Sequence, residues 1–566
     1  MGWIMADVER QFILSNFILS SFLDIQSLRE QFPLLQFENV AHDIYTITVP
    51  MGEQAEAEFN RLSSTVNFIT FPVPYGLNAI PALSSSNISQ FHNYPYGALR
   101  GKGIIIGFVD TGIDYTNILF KNADNTTRIV SIWDQTIPGN PPEGYSYGSV
   151  YTQADINEAL RSPDPLTIVP SQDNDGHGTF LAGVAAGNDQ TGTVDYTGGA
   201  PDAIIAMVKL RPASEFIRNL FLVNTGVPAF QSNDIIAGIN YLLQLSLQEG
   251  RPLVICLGVG SNYGAHNGTE IIENFISNIS IAANIIVVIA TGNEGSSGHH
   301  YKGEVTSGGS ESLEINVGPG ESGFSMYVWV DIPNKMTVSI KSPLGQVIEK
   351  VPIVSETPQT FKLNLEQTIV TVIYLYPDPL TGGQKIEVRL ENPTPGLWSL
   401  TVYGDIIING VFHIWLPRTG FIKSDTRFLK PTPETTLQIP GTEQFGITVG
   451  GYDYLDDSVY VSSGRGPTTD GIMKPDLIAP SVNVQGPMPG GGFTTYVGTS
   501  TAAAITSSAA ALLMEWGVLN GNFPDMNTRI ARSLLTRGAR RQPNVIYPNT
   551  IEGYGRLDLQ ATIARA

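Results

Sequence analysis

Three stretches that lie far apart in the sequence carry side chains that together could perform acyl transfer. Ser500, at the start of an apolar segment, would be the nucleophile, and His177, between two glycines, would be the general base and then the acid. Asp110, at the end of an apolar run, would orient His177. Asn293, in a glycine-rich turn, could donate to a developing oxyanion together with the backbone N–H of Ser500. The chain order Asp, His, Ser occurs in known triads of this kind.

Each of these residues also has a simpler interpretation when it is taken alone. Ser500 could cap the N-terminus of a core helix, which is the commoner use of such a residue. A lone histidine such as His177 is usually structural or solvated, although His177 alone among the seven histidines has glycine on both sides. Asp110 and Asn293 could simply shape turns. It is the combination of the four residues that favours catalysis.

Other chemistries have weaker support. Asp110-Thr111-Gly112 is the tripeptide of aspartic proteases, but that mechanism needs two such carboxylates and the chain has no second one. The glycines Gly101, Gly103 and Gly107 precede a strand, whereas a dinucleotide-binding loop follows one. His299-His300 has no spaced third ligand, so we expect a surface loop there. The sequence predicts neither a metal site nor a cofactor.

The elements that position these residues alternate between strand and helix, which predicts a doubly wound parallel sheet. Asp110 follows the apolar strand 103–109, and Asn293 follows the strand 284–290. Ligands and catalytic groups collect at the carboxyl ends of such strands. Ser500 begins a helix that is apolar on every side and therefore buried, with the positive end of its dipole at the serine.

Two further units are predicted around this α/β domain. Residues 309–432 read as short strands broken by Gly, Pro and Asn, which favours an inserted β-sandwich or jelly roll. The N-terminal residues read as a small α/β unit that begins with an amphipathic helix, Phe12–Phe32. The expected division is residues 1–72 for the N-terminal unit, 73–100 for a linker, 101–308 and 433–566 for the α/β domain, and 309–432 for the insert.

Composition excludes several classes of protein. The chain has 566 residues, of which 42% are hydrophobic and 15% charged, and a net charge of −20. This charge argues against a nucleic-acid partner, and no apolar run is long enough to predict a membrane span. The single cysteine, Cys256, excludes an internal disulfide framework. Because no signal peptide is recognisable, we expect a cytoplasmic or spore-associated protein.

The motif blocks resemble those of the subtilisin-like serine protease (subtilase) family. They are Val109-Asp110-Thr111-Gly112-Ile113-Asp114, Gly176-His177-Gly178-Thr179 and Gly498-Thr499-Ser500, with Lys474-Pro475-Asp476-Leu477-Ile478-Ala479-Pro480 before the serine. Phe180 stands where many members have a second histidine, and Ser481 where glycine is usual. Neither departure removes a catalytic group, but both put the shape of the binding pocket in question.

The resemblance implies how a peptide substrate would bind. Subtilases pair an extended peptide with exposed strand edges. The matching segments are Cys256-Leu257-Gly258 and Ala290-Thr291-Gly292, together with Thr499. Cys256 would line one strand as a small buried hydrophobe and not as a reactive thiol.

Within the family, the insert and the C-terminal end look like those of the clostridial Csp proteases. Csp proteases activate the precursor of a spore-cortex lytic enzyme during germination, and they carry a propeptide and a jelly-roll insert. The resemblance therefore implies that the N-terminal unit is a propeptide, a partner whose tail occupies the active site and which the enzyme removes by a cut within residues 70–92. Since some relatives are pseudoproteases, the alternative function is a catalytically silent sensor or scaffold.

Overall fold

The first folded unit is a four-stranded sheet with two helices, at the N-terminus of a computed structural model. The structure describes residues 14–21, 23–41, 43–50, 52–63, 65–66, 68–70, 74–77, 83–93 and 97–566. The elements of this part are β1 (Leu14–Ser20), α1 (Ile25–Gln31), β2 (Gln36–Ala41), β3 (Ile44–Pro50), α2 (Glu53–Ser63), β4 (Phe68–Thr70) and β5 (Pro74–Leu77). The sheet has the order β2-β3-β1-β4, and β5 lies outside it.

The predicted helix Phe12–Phe32 is wrong over its first described part and is confirmed only from Ile25 to Gln31. Leu14–Ser20 is a strand that pairs with both β3 and β4, and a helix begins only at Ile25. The sheet is buried on both faces, since Phe17 packs into the core of the N-terminal unit and Ile18 into a core shared with the α/β domain. Burial on both faces gives β1 the short apolar run Phe17-Ile18-Leu19, which periodicity alone does not distinguish from part of a helix.

An alternation of strands and helices follows, as the sequence predicts. Its elements up to the insert are β6 (Ile105–Asp110), β7 (Ile129–Asp134), β8 (Ser149–Thr152), α3 (Gln153–Arg161), α4 (His177–Ala186), β9 (Ile204–Lys209), α5 (Glu215–Leu220), β10 (Phe230–Gln231), α6 (Ser232–Glu249), β11 (Leu253–Leu257), β12 (Val259–Gly260), α7 (Ile271–Ile279) and β13 (Ile285–Ala290). The long helix α6 packs against β6 and β11 on one side of the sheet and also contacts β2 of the N-terminal unit.

The inserted segment forms two antiparallel sheets that enclose one apolar core. Its strands are β14 (His300–Glu304), β15 (Ser310–Val317), β16 (Gly323–Val330), β17 (Lys335–Lys341), β18 (Val347–Ile348), β19 (Gln359–Leu363), β20 (Thr368–Leu375), β21 (Gln384–Glu391), β22 (Gly396–Ile406), β23 (Val411–Trp415) and β24 (Arg427–Phe428). Strict alternation of buried and partly exposed residues along β20 and β21 shows why these strands read clearly in the sequence.

The chain then returns to the α/β domain and completes its sheet. The last elements are β25 (Ile447–Tyr452), β26 (Leu477–Pro480), β27 (Val484–Pro487), β28 (Phe493–Tyr496), α8 (Thr499–Met514), α9 (Thr528–Gly538) and α10 (Leu559–Ala564). The main sheet has eight strands in the order β26-β25-β13-β11-β6-β9-β7-β8. All its neighbours are parallel except β7 and β8, so the predicted parallel sheet is confirmed.

Helix α8 is the core helix of this domain. Every residue from Thr499 to Met514 is buried, and the helix packs against α4 and five strands of the main sheet. By length and composition, Thr499–Leu519 is also apolar enough to cross a membrane, but 83% of its most apolar window lies inside the protein. An all-round apolar surface is what a central core helix requires.

The predicted linker is partly built into the α/β domain. Two short 3₁₀ turns, Ser84–Ser86 and Ser89–Asn93, lie in it, and Ile88 and Phe91 are buried in the domain core. His92 is also buried, with its Nε2 2.9 Å from the Gly199 carbonyl oxygen. A serine-rich composition therefore did not reveal that this segment is anchored by its few apolar side chains.

Candidate active site

The structure brings Asp110, His177 and Ser500 together in one hydrogen-bonded chain. His177 Nδ1 lies 2.8 Å from Asp110 Oδ1, and His177 Nε2 lies 3.1 Å from Ser500 Oγ. Because a carboxylate can only accept, Nδ1 carries the proton and Nε2 presents its lone pair to the serine hydroxyl. This is the arrangement in which a histidine can remove the serine proton.

The backbone around Asp110 holds its carboxylate in place. Asp110 is the last residue of β6 and is 1% exposed. Its Oδ1 also accepts from the Thr111 backbone N–H at 2.8 Å, and the Thr111 hydroxyl accepts from the Gly178 N–H at 2.9 Å. The loop after β6 is thereby tied to the first turn of α4, which carries His177.

Charge around His177 favours its protonated form. Burial opposes the imidazolium, but the charge of Asp110 and its hydrogen bond, with smaller contributions from Asp175 and Asp173, outweigh burial and raise the pKa of His177 above its ordinary value. A raised pKa suits a group that must hold a proton between attack and departure of the leaving group.

Asp173 caps the helix on which His177 stands. Its two carboxylate oxygens accept from the backbone N–H groups of Gly176 and Thr179, each at 2.8 Å. Gly176 precedes the helix with φ of 95°, a backbone conformation that residues with a Cβ rarely adopt. The cap fixes where α4 starts and therefore where the imidazole of His177 points.

Asn293 lies at the N-terminus of α8, beside Ser500. Its Oδ1 accepts from the backbone N–H of Thr499 at 3.0 Å, which orients the amide. The first N–H groups of a helix have no partner within the helix, and they lie at the positive end of its dipole. The amide of Asn293 and the N–H of Ser500 are therefore close to the place where an oxyanion on an attacked carbonyl would form.

Gly258 lies against the triad and has room for no side chain. A Cβ at this position would lie 2.8 Å from Ser500 Cβ and 3.1 Å from His177 Cε1. The residues that follow Gly258 form β12, which pairs with the backbone of β5, the middle strand of a three-stranded sheet. The register joins Leu77 to Val259 and Gly76 to Gly260, while β10 pairs with the other side of β5.

The binding strand starts later than the predicted Cys256-Leu257-Gly258. Cys256 and Leu257 belong to β11, which pairs with β13 over both residues and with β6 as far as Cys256. The pairing with β5 is formed by the next strand, β12, from Val259. Burial raises the pKa of the Cys256 thiol to about 12, in keeping with a small core residue.

The second predicted segment, Ala290-Thr291-Gly292, lies directly before Asn293. Ala290 ends β13, and the Thr291 carbonyl accepts from the Gln438 N–H at 2.8 Å. The Gly292 carbonyl accepts from Gly464 N–H at 2.9 Å. These carbonyl groups already accept hydrogen bonds from within the protein, so the segment is a fixed part of the site beside the triad. Thr499, the remaining predicted binding residue, is the first residue of α8.

His299-His300 is buried, and the predicted surface loop is wrong. His299 lies 2.7 Å from a carboxylate oxygen of Glu294, and His300 lies in β14 with its Nε2 2.9 Å from His413 Nδ1. Among the residues that the structure describes, no group of three or more His, Cys, Asp or Glu side chains could hold a metal ion. Both histidines serve contacts at the base of the insert.

Sequence reasoning missed a group of three polar residues, one of which, Gln438, packs against Gly292. They are Asn262, Glu294 and Gln438, all buried and joined in a chain of hydrogen bonds from Glu294 to Asn262 to Gln438. Glu294 directly follows the predicted site residue Asn293 in the sequence. Asn262 and Gln438 are 176 residues apart in sequence, and no pattern in the chain connects them.

Comparisons with known proteins agree with this geometry. The sequence matches the Subtilase family over residues 101–339 and 426–555. It is 31% identical to the serine protease AprX of Bacillus subtilis over 134 residues, which are 19% of this chain and 29% of that protein. It is 34% identical to human membrane-bound transcription factor site-1 protease over 131 residues, or 22% and 12% of the two chains. These alignments span less than a third of either relative.

A solved structure is similar over nearly its whole length. The CspB protease of Clostridium perfringens superposes with a TM-score of 0.75 at 33% sequence identity. The alignment covers 85% of this chain and 97% of that chain, so the likeness extends well beyond the motif blocks.

Proposed function

We propose that this chain, which belongs to the subtilase family and is a subtilisin-like serine protease, cleaves peptide bonds through a triad of Asp110, His177 and Ser500. The observation that carries the proposal is the position of the buried His177 imidazole, 2.8 Å from the carboxylate and 3.1 Å from the hydroxyl. Among the described residues of the site, each of the three has the neighbours that its role requires.

The reaction follows from this geometry. Ser500 Oγ attacks the substrate carbonyl while His177 Nε2 takes its proton, and Asp110 stabilises the imidazolium that forms. The N–H of Ser500 and the amide of Asn293 stabilise the oxyanion, a contribution of about 2.7–4 kcal/mol for one such side-chain donor. His177 then protonates the leaving amine, and a water molecule hydrolyses the acyl-enzyme.

A fluorophosphonate probe tests this assignment without knowledge of the substrate. We expect wild-type protein to be labelled covalently at Ser500, as read by mass spectrometry of the labelled peptide. Ser500→Ala should not be labelled, and Ser462→Ala, which changes a serine outside the triad, should be labelled as wild type is. A folded wild-type protein that resists labelling would instead favour the alternative function, a catalytically silent sensor or scaffold.

The N-terminal unit is proposed to be a propeptide that the enzyme removes itself. This is supported by the backbone of β5, which pairs with β10 and β12 in the manner of an extended substrate and continues from the folded unit formed by β1 to β4. The cut is expected within residues 70–92, part of which lies outside the described residues.

The physiological role is proposed by likeness to the Csp group. Activation of a spore-cortex lytic enzyme precursor, in or on the spore, is the role that this likeness suggests. Incubation of such a purified precursor with wild-type protein should shorten it at its N-terminal side, whereas Ser500→Ala should leave it intact.

A further inference from the structure

The side chain of Gln438 lies between the two segments that flank the triad. A Cβ at Gly260 would lie 2.5 Å from Gln438 Oε1, and a Cβ at Gly292 would lie 2.4 Å from the same atom. Gly260 is two residues beyond Gly258, which touches Ser500, and Gly292 directly precedes Asn293. The Gln438 amide therefore occupies the space that side chains at Gly260 and Gly292 would fill, next to the catalytic groups.

Hydrogen bonds determine whether the oxygen or the nitrogen of the Gln438 amide faces Gly260 and Gly292. Asn262 Nδ2 donates to Glu294 Oε2 and to the Leu416 carbonyl, each at 3.2 Å. Because these two partners can only accept, Asn262 must present its Oδ1 to Gln438. Gln438 Nε2 donates to that oxygen at 3.1 Å, which leaves Oε1 between the glycines.

Gln438 Oε1 is a buried acceptor to which none of the described residues donates a hydrogen bond. Gln438 is 1% exposed. A buried carbonyl oxygen that stays unpaired is destabilising, so a binding site that keeps one is suited to a ligand that supplies an N–H. An apolar ligand group packed against this oxygen would leave it unpaired.

The nearby carboxylate gives no support to a positively charged ligand. Glu294 is engaged by His299 Nδ1 at 2.7 Å and by the Thr419 N–H at 3.0 Å, in addition to Asn262. A lysine or arginine side chain beside Gln438 Oε1 would be desolvated without a counter-charge of its own. The donor that matches this environment is an uncharged amide.

We propose that Gln438 determines specificity by accepting a hydrogen bond from the substrate side chain on the acyl side of the scissile bond, and that it selects asparagine or glutamine there. The proposal rests on the proposed peptidase function and names the substrate class of the same site. Gln438 binds substrate in this scheme, whereas Asn262 and Glu294 are positioning residues that orient its amide.

The register of β5 points to a bond in this chain with that property. Leu77, the last described residue of β5, pairs with Val259, and Val259 directly follows Gly258, the residue that touches Ser500 and His177. Position 78 lies outside the described residues, and in the sequence it is asparagine. The bond assigned to self-cleavage is therefore Asn78–Ala79.

Cleavage of this bond requires no reactant other than water. Ser500 Oγ bonds to the carbonyl carbon of residue 78, the bond from that carbon to the nitrogen of Ala79 breaks, and His177 delivers the serine proton to the nitrogen. Water then hydrolyses the ester, which leaves a carboxylate on residue 78 and restores the serine hydroxyl.

A panel of four-residue substrates tests the selectivity. The substrates are Tyr-Gly-Leu-Xaa coupled to a fluorogenic amine, in which Xaa is asparagine, glutamine, leucine, aspartate or lysine. We expect kcat/KM for asparagine or glutamine to exceed that for the near-isosteric leucine roughly 10- to 100-fold, the range for pairing one buried acceptor. Equal rates, or a preference for leucine, would overturn the proposal.

Variants of Gln438 and of a matched glutamine sharpen the test. Gln438→Met keeps the length of the side chain but removes the acceptor, so the ratio of asparagine to leucine rates should fall to about one. Gln444→Met makes the same change at an exposed residue, and the wild-type ratio should persist. A ratio that stays high in Gln438→Met would also contradict the assignment.

The outcomes separate this inference from the proposed function. If Ser500 is labelled by the fluorophosphonate but amide side chains have no advantage, only the specificity proposal fails. If Ser500 is not labelled and no substrate is cleaved, both fail. Should Gln438→Met not fold, sequencing the N-terminus of processed wild-type protein gives a second readout. Ala79 as first residue supports the assignment, and any other first residue contradicts it.

Discussion

At the scale of residues, the site is defined by how charge is distributed around one imidazole. His177 is buried between Asp110 and Ser500, and two further carboxylates lie near the start of its helix. The carboxylate of Asp110 bonds directly to the imidazole, with Oδ1 2.8 Å from His177 Nδ1. The structure thus distinguishes an orienting carboxylate from those that shape the turn, such as Asp173.

The raised pKa of His177 predicts where activity is lost in acid. A histidine base works only when neutral, so the rate of fluorophosphonate labelling should fall as pH drops through a value above about 6.5. Asp110→Asn removes the main charge that raises the pKa, so the acid limb should move to lower pH. The labelling rate on the plateau should also fall, on the order of 1,000- to 10,000-fold.

Asp175→Asn is the matched control for this pH profile. It removes the same charge from a carboxylate that raises the pKa of His177 less and does not orient the ring. Its acid limb should shift slightly in the same direction, with little loss of rate on the plateau. A wild-type limb centred below pH 6.5 would contradict the assignment of charge around His177.

At the scale of elements, β23 joins the insert to the α/β domain through stacked rings. Trp415, the last residue of β23, stacks on His266 with ring centres 4.0 Å apart and on His300 with ring centres 4.8 Å apart. His266 belongs to the segment after β12, which also carries Asn262. The insert therefore packs against the loop that orients the proposed specificity residue.

Acid should weaken this junction because its histidines are held neutral. Burial lowers the pKa of His266 to about 4, so the unfolded chain binds a proton that the native protein does not between pH 6.5 and pH 4. The stability that neutral His266 maintains above pH 6.5 is lost as pH falls through this window. From pH 7 to pH 5 the loss is about 2 kcal/mol for this residue.

Urea unfolding at the two pH values measures this loss. The wild-type free energy of unfolding should decrease by about 2 kcal/mol more than that of His266→Gln, which cannot be protonated. Buried carboxylates whose pKa is raised, such as Glu270 and Glu273, are common to both proteins and cancel in the difference. Equal pH dependence in the two proteins would show that His266 is not held neutral.

At the scale of the whole molecule, the N-terminal unit is attached to the α/β domain at two places. The outer face of its sheet, with Ile18, Val40 and Ile44, shares an apolar core with α6. The Tyr145 hydroxyl also donates to the Val40 carbonyl at 3.1 Å. The second attachment is the backbone pairing of β5 with β10 and β12.

Self-processing should therefore yield two fragments that stay associated. Wild-type protein should appear as two bands on a denaturing gel and as one peak in size-exclusion chromatography. Ser500→Ala should remain a single chain of 61.1 kDa. Equal cleavage of both proteins would indicate an outside protease, and separate elution of the fragments would show that the α6 interface is too weak to hold them.

Much of the fold and most of the site could be predicted from the sequence because they rest on local patterns. The parallel strands that lead to Asp110 and Asn293 are buried on both faces and read as unbroken apolar runs. Helix α8 is apolar on every side for the same reason. Side chains at the ends of such elements could be assigned to one edge of the sheet before their distances were known.

The tertiary structure decided what depends on contacts between distant segments. Burial on both faces made β1 look like a helix, and buried pairing hid His299 and His300 from a composition-based interpretation. The edge that meets β5 is β12, from Val259, because β11 lies between β13 and β6 in the main sheet. Gln438 acquires its orientation only from Asn262 and Glu294, and a hydrogen-bond chain of this kind leaves no periodicity in the sequence.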